Sequence, residues 1–100
     1  MSYTVKLVQQ RDNTSTNFWS QSNMPAETIS KMDELKASGE IISYDLSDGD
    51  PNALSKVMSI TFRTPLSAFD AEEDPAMIKS AKERATYCLA NNISWSVETY

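Results

Sequence analysis

The sequence predicts an α+β domain in which four antiparallel strands form one sheet and two helices cover one of its faces. Four segments alternate apolar and polar residues with the period of a strand, and two carry apolar residues at spacings of three and four. Clusters of Asn, Asp, Ser, Gly and Pro separate these segments. A chain of 100 residues has material for one core, so residues 1–100 are read as a single domain.

Tyr3, Val5 and Leu7 alternate with Thr4 and Lys6, which places a first strand over residues 2–10. Residues 11–23 are polar and without period, and are expected to form a long connection. Phe18 and Trp19 stand out inside it. Two large aromatics are costly to expose, so the pair either folds back over the core or anchors a partner.

A helix is predicted over residues 25–38. Pro25 suits its first turn, Glu27 lies at its positive end, and Gly39 supplies the left-handed residue that stops it. Ala26, Ile29, Met32 and Leu35 mark the buried stripe. A second strand follows over residues 41–46, with Ile42, Tyr44 and Leu46 facing the helices and Ile41, Ser43 and Asp45 facing away. The run from Ser47 to Asn52 favours a turn through its Asp, Gly and Pro residues.

Residues 57–63 give the cleanest period of two, with Met58, Ile60 and Phe62 inward, and Pro65 ends this third strand. Asp74 caps and Pro75 starts a second helix whose apolar side is Ile78, Ala81, Ala85, Cys88 and Leu89, flanked by Met77; Lys79 and Glu83 pair on its exposed side. Asn91 and Asn92 stop it. Ile93, Trp95 and Val97 then alternate inward along a fourth strand.

The order β-α-β-β-α-β has an economical solution in a ferredoxin-like sheet of spatial order 4-1-3-2 with right-handed crossovers, although another antiparallel α+β topology stays open. The sheet face away from the helices is short of charge. Val8, Ile41, Ser43, Ser59, Thr61, Ser94 and Ser96 on that face are candidates for pairing with a second copy of the chain, in the manner of dimeric α+β barrels.

Nine basic and fourteen acidic residues give a formal charge of −5, and no histidine adjusts it near neutral pH. Seven acidic residues against two lysines fall between positions 27 and 50, a field that repels a phosphate backbone and argues against nucleic acid. The lone Cys88 rules out an intrachain disulfide and a CxxC pair, and the absence of histidine rules out Ser-His-Asp and His-ligated designs. Two glycines cannot make a P-loop or a dinucleotide fingerprint, and the acidic turn around Gly49 lacks the ligand spacing of a calcium loop. No cofactor, metal or catalytic residue is therefore expected. No stretch has the length of a membrane span and no secretory signal is recognisable, which leads to a cytoplasmic expectation.

With catalytic motifs missing, the leading expectation is a small non-enzymatic accessory or protein-interaction protein, homodimeric through its outer sheet face. Its partner would be met by Phe18, Trp19, Glu34, Asp45, Asp48 and Asp50. The alternative is a small-ligand-binding protein or compact enzyme of the dimeric α+β barrel type. Its pocket would lie between helices and sheet, with Tyr44, Arg63, Tyr87 and Trp95 as candidate lining.

Overall fold

The computed structural model describes residues 1–100. Its elements are β1 (Tyr3–Arg11), α1 (Ala26–Ala37), β2 (Ile41–Asp45), β3 (Ser55–Phe62), α2 (Pro65–Glu72), α3 (Pro75–Ala90) and β4 (Ile93–Thr99), with a short 3₁₀ turn at Gln21–Asn23. The sheet is antiparallel throughout in the order β2-β3-β1-β4, the ferredoxin-like arrangement. No helix is long and apolar enough to cross a membrane.

There are three helices, not two. α2 occupies the stretch after Pro65, where the proline ends the strand and at the same time starts a helix. Thr64 caps it by accepting the Ser67 N–H at 3.1 Å, while Ala68 and Ala71 turn inward. The end of the sheet holds this helix in place: Glu40 accepts from the Ser67 hydroxyl and pairs with Arg63 at 2.6 Å.

The core lies between the sheet and the helices and contains Leu7, Met32, Met58, Phe62, Cys88 and Ile93. Its phase on β2 differs from the expected one. Ile41 is only 1% exposed whereas Ile42 is 53% exposed, because a bulge between Ile41 and Ser43 turns the strand by one residue. Ile41 is thus core and no part of the outer face. On that face Val8 stands opposite Val57, and the Thr4 and Thr61 hydroxyls are 3.1 Å apart.

Two polar residues of β1 hold the long connection. Gln9 is wholly buried; its Nε2 donates to the Trp19 carbonyl at 2.9 Å and its Oε1 accepts the Trp19 N–H at 2.9 Å. Arg11 donates to the carbonyls of Thr16, Pro51 and Ala53 and lies over the Phe18 ring. Phe18 and Trp19 are interior as a result. Gly39 has φ +86° and ends α1 as expected; α1 buries Thr28 and Met32, while Ala26 is exposed.

Candidate functional site

On α3 the inward stripe runs through Met77, Ser80, Ala81, Arg84 and Cys88 rather than through Ile78 and Leu89, which are exposed. Asp74 and Asn91 cap the helix, at 2.9 Å to the Ala76 N–H and 2.8 Å to the Tyr87 carbonyl. Partners outside it hold its rotation near both ends: the Thr28 hydroxyl of α1 donates to the Ala76 carbonyl at 2.8 Å, and the Tyr87 hydroxyl donates to the Asn17 carbonyl. Lys79 pairs across to Glu27 of α1, not along its own helix to Glu83.

This rotation leaves a cleft of about 480 Å³ between α3, the end of α2 and the sheet. Its walls are mostly apolar, with Val5, Ile60, Ala81, Trp95 and Val97 among them, and Glu72 and Lys82 stand exposed at its margin. Trp95 is inward as expected, yet 40% exposed because it faces the cleft instead of packed side chains.

Arg84 is the charged residue within these walls. Its guanidinium carbon lies 4.8 Å from the centre of the Trp95 ring, and its Nε is buried with no hydrogen-bond partner. None of the four ion pairs of the chain includes it. Burial draws its pKa down, against a smaller opposing influence from Cys88; the guanidinium nevertheless stays protonated at working pH. A half-desolvated cation without an anion is costly, and an anionic ligand oxygen would satisfy it. The sequence holds one signal of this residue: Met77, Ala81, Arg84 and Cys88 fall at spacings of four, three and four, so a charge interrupts an otherwise inward stripe.

The other expected pocket residues are dispersed. Tyr44 donates to Asp33 at 2.8 Å, a bond to a carboxylate that raises its pKa, and it sits beneath Lys36 against α1 on the edge strand. Arg63 is committed to Glu40 at the end of the sheet. Tyr87 donates to the Asn17 carbonyl at 2.6 Å and meets Trp19 edge to face, 5.6 Å between centroids. Only Trp95 of the four lines the cleft. Glu34, Asp45, Asp48 and Asp50 are exposed; Glu34 pairs with Lys31, and Asp45 and Asp50 bond within their own turns.

No protein-family model matches the chain, and no curated protein matches it. Among solved structures, the fold is similar to a conserved protein of unknown function from Bacteroides thetaiotaomicron, described as a possible oxidoreductase. That match has a TM-score of 0.55 at 11% identity, covering 99% of this chain and 95% of that one. A candidate antibiotic biosynthesis monooxygenase from Deinococcus radiodurans matches with a TM-score of 0.51 at 8% identity, over 100% and 90% of the two chains. A hydroxynitrile lyase from Passiflora edulis reaches 0.49 at 16% identity, over 98% and 91%.

Likeness at this level is likeness of fold. The expectation of a non-enzymatic accessory or protein-interaction protein is nonetheless corrected. The folds it resembles are described as enzymes, the aromatic pair on which it rests is interior, and the surface opens instead into a cleft of small-molecule size.

Proposed function

We propose that this chain is a compact enzyme that takes a small, mostly apolar molecule into the cleft between α3 and the sheet and oxidises it at or beside an acidic oxygen. The unpaired Arg84 in an apolar cleft carries the proposal. An arginine facing a phenol, enol or carboxyl oxygen favours the ionised form, and it does so strongly where water is excluded. The oxyanion is the electron-rich form of a phenol or enol, and dioxygen is the oxidant assigned. A ring C–H beside the phenol oxygen becomes a carbonyl and the phenol oxygen the second carbonyl of a quinone, while the other oxygen atom leaves as water with the two hydrogens, so that the substrate supplies all four electrons. Trp95 offers a flat surface for a ring, and Glu72, the carboxylate at the margin, is assigned the role of accepting the substrate's proton. The oxidoreductase and monooxygenase descriptions of the two fold relatives support this reaction class.

Binding and turnover test the reading separately. Benzoate and 2-naphthol titrated calorimetrically against the chain should bind, and Arg84→Gln should weaken binding at least tenfold, the value of one charge-assisted contact. Oxygen uptake with a panel of fused-ring phenols should depend on Arg84 and show reduced rates in Glu72→Gln. Equal binding by wild type and Arg84→Gln would remove the basis of the proposal.

The chain is further proposed to act as a homodimer through the outer sheet face. The Val8 and Val57 pair supports this, with Ser43, Ser59, Thr61, Ser94 and Ser96 around it. Sedimentation across a concentration series should give twice the chain mass; a monomer at every concentration rejects it.

A further inference from the structure

Behind Arg84 the cleft continues into a second, smaller space, a recess of about 110 Å³ between α1, α3 and the sheet. Arg84, Ala81 and Met77 are among the residues that line both spaces, so Arg84 belongs to the wall where the two meet. Four of the five methionines of the chain line the recess: Met24, Met32, Met58 and Met77. They come from the connection before α1, from α1, from β3 and from α3, and Leu7, Leu46, Ile60 and Val97 complete the apolar wall between them. Methionine has an unbranched, flexible side chain that fills irregular gaps and yields to a guest. Beside Arg84 the polar residues there are Thr28, Ser59 and Ser80, and Thr28 already spends its hydroxyl proton on the Ala76 carbonyl. The recess therefore offers an inserted group mainly dispersion contacts.

We infer that the ligand of this cleft carries a short alkyl branch beside its acidic oxygen, and that the branch lies in the methionine-lined recess while the oxygen stays at Arg84. This rests on the reading of the cleft given above. At about 30 Å³ for each small heavy-atom group, the space of one water molecule, the recess holds about four carbons. A ring is too large for it, whereas the outer space of about 480 Å³ accepts one. The substrate class is thus an alkyl-substituted aromatic or enolic acid with a branch of three to four carbons, about the capacity of the recess.

The test is a series of 2-alkylbenzoates, whose branch lies beside the carboxylate, from benzoate to the hexyl compound, titrated against the full chain. Affinity should rise about fourfold for each added methylene, the usual value of burying one, up to butyl and then stop. Ser80→Leu places a branched side chain in the recess from α3 and should abolish the gain from the alkyl chain while sparing benzoate itself. The wild-type series decides the matter even if that variant folds poorly. Arg84-dependent benzoate binding with no gain along the series overturns the recess and leaves the reading of the cleft intact. A gain that continues unbroken through hexyl also overturns it, since unspecific partitioning has no such limit. No binding of any member overturns both.

Discussion

Arg84→Met should make the ligand-free protein more stable, which is the opposite of what removing a structural arginine does. The Nε of Arg84 is buried without a partner, and an unsatisfied buried donor costs about 1–3 kcal/mol. Against this stands the contact of the guanidinium with Trp95, worth about 0.5–1 kcal/mol for a partly exposed pair. Methionine keeps most of the aliphatic stem, so the apolar packing along the cleft is retained. The balance is a gain of about 1 kcal/mol, which for a domain of this size raises Tm by about 4–8 °C. Urea unfolding and scanning calorimetry without ligand measure it directly. The gain should also be constant from about pH 5 to 9, because an arginine does not titrate there. A loss of 1 kcal/mol or more would show that Arg84 holds the fold together, and the interpretation of it as a group awaiting an anion would fail.

Three further outcomes follow from contacts elsewhere in the fold. Gln9→Ala should cost about 2–3 kcal/mol in urea unfolding, because it strips the buried Trp19 N–H of its acceptor and leaves the Trp19 carbonyl with only Lys56 at 3.3 Å. A cost below 0.5 kcal/mol would mean that the connection is held by its aromatic side chains alone. Thr64→Ala should cost about 1 kcal/mol by removing the cap of α2, with amide exchange accelerated across residues 65–72 and not in α3. The Glu40 pKa is lowered, first by the Ser67 hydroxyl and then by Arg63, so the carboxylate form stabilises the fold above the ordinary value of 4.5 and that contribution disappears as pH falls below it. Tm measured against pH should therefore drop more steeply below pH 4.5 in wild type than in Glu40→Gln; parallel curves would refute the assignment.

The order of the four strands and the sheet topology were legible because strand and helix periods differ and because the nine residues between β2 and β3 are too few for a parallel crossover. What escaped did so for local reasons. Pro65 serves both as a strand stop and as a first helical residue, and the Thr64 cap is a single hydroxyl, so α2 was hidden behind the end of β3. The bulge in β2 lies in the hydrogen-bond register, which side-chain period does not encode, and this sent Ile41 to the wrong face. Gln9 and Arg11 continue the inward phase of β1 with polar side chains, so their burial depends on backbone groups of a distant loop. A cleft with Trp95 in its lining opens between α3 and the sheet, the region where the sequence directed the search for a pocket. Arg84 was not foreseen, because whether a charge on a mixed helix points inward depends on a helix rotation set here by contacts at both ends of α3.

The grip of Gln9 and Arg11 on the long connection also divides it into two parts with separate tolerances. Gln9 holds main-chain atoms of Trp19, and Arg11 holds the carbonyl of Thr16, so the hydrogen bonds of both clamps act on backbone, with the Phe18 ring under Arg11 as the side-chain contact. Residues 12–15 form an exposed loop between β1 and the clamped Thr16. An added epitope, fluorophore or short insertion there would enter solvent at a fixed base, leaving the sheet undisturbed and the α3 cleft free for titration.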